Sequence, residues 1–330
     1  MINKFLTLYN ICLDEIKSVN LKSNKEFRNV FLKEFIKKQK SGCNFNYQEF
    51  FKQFSKKYHR SDWKKVSTDI YQLEYMNQFF SNGKILIFSP VKPKKLVILL
   101  NGSLNSAEDI LLHRNSKYFL KDIMEAHNCA LATWTWPLQA ERKNAFFPSL
   151  STFKSVERQY AKLLNIIGTD LWEQYIFELS ICMRSIEEYN DSNLGNLEMI
   201  IAGWSMGGSL AWFAPYFLNT RVKTLVLGSC ARFQDLISFG RQNSQGLYYF
   251  PKFGPEFFDI ENIAADLLEK GNSVHVQFGE NDKNCIQNSI VEIDQYVSDK
   301  MNYENFSNLV MPNVDHSFEK VVKNALLEAI

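Results

Sequence analysis

With 330 residues, 45 % of them apolar and 22 % charged, the chain has ample material for a substantial core in one large domain or two modest ones. No apolar run approaches the ~20 residues of a membrane span. The formal net charge of +2 selects no class of partner.

Six cysteines, Cys12, Cys43, Cys129, Cys182, Cys230 and Cys285, lie far apart with no CxxC spacing. That reads as reduced thiols in a cytoplasm rather than a secreted disulfide framework. The opening stretch KFLTLYNICL has the look of a secretory apolar region. Asn10 interrupts it, Asp14 and Glu15 follow at once, and no small-residue cleavage site appears. An amphipathic first helix is the better reading, and a soluble, cytoplasmic protein is expected.

Residues 1–66 form the first expected unit, helical and basic, with 15 Lys and Arg against 6 Asp and Glu. Phe27, Val30, Phe31, Phe35 and Ile36 recur there at helical spacing. Three roles suit such a segment: a cap over a site, a contact for an acidic partner or membrane surface, or an appendage with a solvated face, which is favoured. It has neither the aromatic and glycine pattern of an RNA-binding motif nor a contiguous positive run, so no nucleic acid is expected.

The second unit, residues 67–330, opens with STDIYQLEYMNQFF and KILIFSP, two strands joined by a hairpin at Asn82-Gly83. KLVILL (95–100) is a buried strand, and residues 107 to about 127 suit a helix. CALATWTW (129–136) is the next strand, and 155–189 is mostly helical with a break near Gly168. LEMIIAG (197–203), TLVLGS (224–229), SVHVQF (273–278) and SNLVM (307–311) are further strands. Helices are expected after Met206, Glu261 and Gln287, and from Phe318 to the end. Short apolar strands alternating with helices imply an α/β fold, a mostly parallel sheet of about eight strands with helices on both faces. The initial hairpin makes the sheet mixed.

GWSMGG (203–208) stands between the apolar runs LEMIIA and SLAWFAPYF. A sharp strand-to-helix turn holds a side chain clear of the sheet, and small flanking residues such as Gly203, Gly207 and Gly208 give it room. Ser205 is therefore a candidate nucleophile, and the Met206 N–H at the helix start faces developing negative charge. Read alone, the motif also fits an inert turn serine.

A serine nucleophile needs a base, and the base an orienting acid. Of the five histidines, His59 lies in the basic segment, and His113 and His127 suit surface or packing roles at the first helix. His275 sits in a strand expected to be central and reads as a satisfied core group. His316, in MPNVDHSFEK after the last strand, emerges at the same carboxyl edge as Ser205 and is the expected base. VHVQFGENDKNC supplies Glu280 and Asp282 directly after a strand. Asp282 is preferred, Glu280 is held in reserve, and Asp315 suits bracing of the histidine loop. A second amide donor is expected in LLNGSLNSAED (99–109), at Ser103 or Leu104, ahead of a helix with Ser106 as N-cap. The histidines are scattered without HxxxH or CxxC spacing, so no metal site is expected.

Together, NGSLNSAED, GWSMGG, GENDKN and NVDHSF, in this order and strand context, resemble the α/β-hydrolase superfamily. Within it they look most like the esterases and peptidases of the dienelactone-hydrolase and prolyl-oligopeptidase-like branch. The resemblance covers roughly residues 67–330 and says nothing of 1–66. It implies the α/β-hydrolase fold, a triad of Ser205, Asp282 and His316, and an oxyanion hole from Met206 and the Asn101-Gly102-Ser103 turn. Many relatives carry His-Gly where this chain has Asn101-Gly102. The implied reaction is hydrolysis of a small-molecule carboxylic ester through an acyl-enzyme on Ser205, with no cofactor. A peptidase for small peptides, an acyltransferase and a non-catalytic binding protein of the same fold are the alternatives.

Two aromatic stretches, 134–149 and 231–258, suit a lid or acyl pocket, and Trp204 beside the nucleophile adds to it. Arg142, Lys143, Arg232 and Arg241 would suit an acidic substrate, although scattered basic residues are usually solvated.

Overall fold

The computed structural model describes residues 59–77, 82–103, 105–142, 160–161, 164, 171–229, 260–283, 285–300 and 304–330. The expected basic helices of 1–58 and both aromatic stretches beyond Arg142 lie outside these residues.

Among the described residues, one sheet of nine strands runs in the order β1-β2-β3-β5-β4-β6-β7-β8-β9. Its strands are β1 (Lys64–Lys65), β2 (Ile70–Tyr75), β3 (Gly83–Phe88), β4 (Lys95–Leu100), β5 (Ala130–Trp134), β6 (Glu198–Trp204), β7 (Lys223–Leu227), β8 (Ser273–Gly279) and β9 (Phe306–Met311). From β4 to β9 all pairings are parallel, and β1, β2 and β3 join antiparallel. The expected mixed sheet is thus present, with one strand more. The addition is β1, two exposed lysines from the segment read as helical. Local apolar pattern gave no sign of them, because an edge strand made of charged residues buries nothing.

Alternation along the strands sends side chains to two separate cores. In β4, Leu96, Ile98 and Leu100 enter one core while Val97 and Leu99 enter the other. The first core is covered by α3 (Leu171–Tyr189), α4 (Met206–Ala211), α5 (Ile260–Glu269) and α6 (Gln287–Lys300). The second is covered by α1 (Ala107–Leu111), α2 (Lys121–Ala126), a π-helical turn (Phe318–Lys323) and α7 (Asn324–Ala329). Two-faced coverage is what makes the central strands apolar along their whole length. Among the described residues, no helix is long and apolar enough to cross a membrane.

Two expected elements differ. The helix over 107–127 is two short helices, since the chain turns at Asn115–Lys117 and Leu120 N–H bonds back to Ile110 O. The β2–β3 link is not a two-residue turn at Asn82-Gly83. Gly83 already pairs with Tyr75 in the sheet, and Met76 N–H is drawn to His59 O instead.

Chain direction marks where a crevice forms. From β4 the chain crosses to β5 on one side and later to β6 on the other, so β4 and β6 flank a topological switch point. In open α/β sheets the crevice beyond the carboxyl ends at such a point is the ligand-binding position.

Candidate active site

Four loops leave the carboxyl edge of the sheet beside this crevice: Asn101–Ser103 after β4, Ser205 after β6, Glu280–Lys283 after β8, and Pro312–Ser317 after β9. They carry four of the five residues expected at the site, Ser103, Ser205, Asp282 and His316, and the fifth, Met206, opens the helix after Ser205.

Ser205 sits between β6 and α4 with φ 55° and ψ −114°. Such a positive φ is costly for a residue with a Cβ, about 1–3 kcal/mol, and persists only where neighbours impose it. The neighbours are visible. Ser205 N–H donates to Leu227 O at 2.9 Å, and a Cβ on Gly207 would lie 2.0 Å from Leu100 O. Strand and helix therefore meet at backbone contact, and the serine is lifted out of both. Met206 is the first residue of α4, so its N–H has no partner four residues back in the helix. Ser103 Oγ reaches Met206 Sδ at 3.8 Å, which sets the β4 loop against the start of α4. Leu104 lies outside the described residues.

Asn101 is buried and wired to β5. Its amide donates to Trp134 O at 2.9 Å, its Oδ1 accepts from Thr133 Oγ1 at 3.1 Å, and its own carbonyl accepts from Trp136 Nε1 at 2.9 Å. The Asn101 amide thus ties two strand ends together.

Asp282 and His316 are brought together. Oδ2 of Asp282 lies 2.6 Å from Nδ1 of His316, with the aspartate side chain fully enclosed and the imidazole 30 % exposed. Glu280, the reserve acid, is exposed and instead accepts from the backbone N–H of Asn313 at 3.0 Å. It braces the loop that carries His316. Asp315 is exposed, and its carbonyl accepts from Ser317 N–H at 2.8 Å. A Cβ on Gly279 would lie 2.2 Å from Val314 O, so the two loops touch through backbone.

The imidazole of His316 stacks on Trp204, centroids 4.2 Å apart and planes 24° from parallel. This contact links the Asp282–His316 pair to the residue preceding Ser205. It was not legible in sequence, because nothing local relates positions so far apart.

The other histidines stand away from this edge or face solvent. His59 and His127 are exposed, and His113 pairs with Asp109 at 3.0 Å. His275 is not central: β8 is next to the edge strand, and its half-buried ring is satisfied by Ser307 and Gln277. Strand order, which a sequence pattern does not give, accounts for the difference.

Arg142 is also not a solvated cation. It is enclosed and paired with the buried Glu178 on α3, Nη2 to Oε2 at 3.0 Å, while Nη1 donates to Thr135 O at 2.7 Å. Tyr75 and Asn77 donate to the same carboxylate. Burial opposes the charge on Arg142, but Glu178 beside it outweighs that and holds the guanidinium above its ordinary value. Lys143, Arg232 and Arg241 lie outside the described residues.

No family model and no curated protein matches the chain. Solved structures do. A putative acetyl xylan esterase from Bacteroides fragilis is 11 % identical with a TM-score of 0.56, covering 92 % of this chain and 81 % of its own. A thermostable carboxyl esterase from Bacillus coagulans is 12 % identical with a TM-score of 0.51, covering 80 % and 97 %. At these identities the likeness concerns fold, and the fold is the α/β-hydrolase fold.

Proposed function

We propose that the protein is a serine hydrolase that cleaves a small-molecule carboxylic ester through an acyl-enzyme on Ser205. One observation carries the reading: an enclosed Asp282 carboxylate bonded to His316 Nδ1 on the same sheet edge as a serine held at positive φ. The esterases named above share this fold, which supports the reading without deciding the substrate.

With Nδ1–H donated to Asp282, the other ring nitrogen, Nε2, is left as the acceptor. In the proposed acylation, Ser205 Oγ attacks the acyl carbon and its proton passes to Nε2 of His316. The carbonyl electrons move onto oxygen, which accepts from the N–H of Met206 and from an N–H of the Asn101-Gly102-Ser103 turn. Collapse expels the alkoxide, which leaves as the alcohol with the imidazolium proton. A water molecule, deprotonated by His316, then attacks the acyl group, and the carboxylic acid departs as Ser205 regains its proton. Asp282 stabilises the imidazolium in both halves. The chemistry requires no cofactor.

Labelling with a fluorophosphonate probe tests the reading. The native chain should label, and Ser205→Ala and His316→Ala should not. Absence of label on the native chain would sink it. Esters of increasing acyl length, run against aminoacyl amides, then separate esterase from peptidase.

A further inference from the structure

Resting on the hydrolase reading, we propose that Trp204 is a positioning residue that fixes the plane of the His316 imidazole and supports its protonated form. The argument starts from a degree of freedom. The ring turns about its Cα–Cβ and Cβ–Cγ bonds, and one hydrogen bond from Nδ1 to Asp282 restrains that rotation at a single point while leaving the ring plane room to rock, which under the proposed chemistry would misdirect Nε2. The near-parallel stack on Trp204 removes this freedom, since a ring held along its edge by Asp282 and across its face by an indole has one orientation left.

Trp204 is itself fixed. It is the last residue of β6, only 4 % exposed, with Phe318 edge-on at 5.9 Å and 88°. Two glycines lie against its rings. A Cβ on Gly102 would come 2.7 Å from Trp204 Cδ1, and one on Gly228 would come 2.2 Å from Cζ3. A larger residue at either position would collide with the indole, so backbone packs closely against it at both rings. The contribution also grows during reaction. An imidazolium over the face of an indole gains a cation–π attraction that the neutral ring lacks, and only interactions that strengthen towards the transition state raise kcat.

Trp204 also belongs to the core on its face of the sheet, so the test must separate aromaticity from bulk. Trp204→Phe and Trp204→Leu both leave an apolar side chain, the leucine somewhat smaller, but only phenylalanine keeps a face for the imidazole. On a short-chain nitrophenyl ester, Trp204→Leu should lower kcat about tenfold at unchanged KM, and Trp204→Phe should recover most of that loss. Equal losses in the two variants, or a change confined to KM, would overturn the proposal. If the leucine variant does not fold, Trp204→Met takes its place under the same criterion. A second readout is independent of turnover. The His316 ring protons, assigned in NMR spectra by their absence from His316→Ala, should lie upfield in the native and phenylalanine proteins and return to ordinary positions in the leucine protein. Unshifted ring protons in the native protein would also refute the stack. If the native chain neither labels nor hydrolyses esters while the ring-current shift is present, the hydrolase reading fails and the positioning role with it. If the native chain is active and the leucine variant matches it, only the positioning role fails.

Discussion

The Asp282 carboxylate meets His316 at 2.6 Å from a position with no solvent exposure, whereas Glu280, two residues earlier, faces solvent and holds a backbone amide of the histidine loop. A hydrogen bond to an enclosed carboxylate selects the imidazole tautomer and stabilises its cation. An amide in place of the carboxylate can donate to Nδ1 and so reverse the tautomer. Asp282→Asn is therefore expected to lower kcat about 10⁴-fold with KM little changed. Glu280→Gln keeps an acceptor for the Asn313 N–H and should cost less than about tenfold. Steady-state kinetics on one ester compare the two, and the reverse order would move the acid to Glu280.

Ser205 stores backbone strain, which the proposed chemistry would have to carry. Glycine adopts φ 55° freely, while alanine does not. Ser205→Gly should be at least as stable as the native protein and more stable than Ser205→Ala by about 1 kcal/mol, while under the proposed chemistry both should be inactive. Thermal melts of the three proteins provide the measurement. A glycine variant melting below the alanine variant would show that the turn is not strained.

The Arg142–Glu178 pair ties the loop after β5 to α3 inside the protein. Breaking a buried pair leaves an uncompensated charge, so Glu178→Gln and Arg142→Met should each cost about 3–5 kcal/mol. The double variant Arg142→Met with Glu178→Leu should be more stable than either single one. Urea midpoints decide, and additive losses would mean that the two groups are not coupled.

Asp109 completes the capping box of α1 with the N-cap Ser106, its carboxylate accepting from Ser106 N–H at 3.2 Å and pairing with His113. Burial alone would raise its carboxyl above the ordinary 3.8, but hydrogen bonds from His113 and Ser106 outweigh it and the value is lowered. A carboxyl with a lower folded than unfolded value contributes stability that is complete above the unfolded value and lost as pH falls through the folded one. Asp109→Asn should thus lower the melting temperature near neutrality, by about 1 kcal/mol in stability. The gap to the native protein should close as pH drops below 3.8. A constant gap across that range would contradict the assignment.

Residues that announce themselves locally were readable in sequence. GWSMGG between two apolar runs marks a strand-to-helix turn, and Asp282 and His316 each follow a strand by a few residues. Strand order was not readable, which is why His275 looked central. Arg142 looked solvated because its partner Glu178 stands on a helix beyond an intervening stretch. The Trp204–His316 stack and the two-lysine strand β1 share this character, since each is made by tertiary pairing and leaves no periodic trace.

Asn101 has a consequence for how ligands are met. Its three hydrogen bonds clamp the ends of β4 and β5 to each other before anything binds. Under the proposed chemistry, the amides of that turn are aimed in advance rather than recruited by the substrate. Little reorganisation of that turn then accompanies the growth of charge on the reacting oxygen, and this wall of the crevice behaves as a rigid die rather than a closing hand.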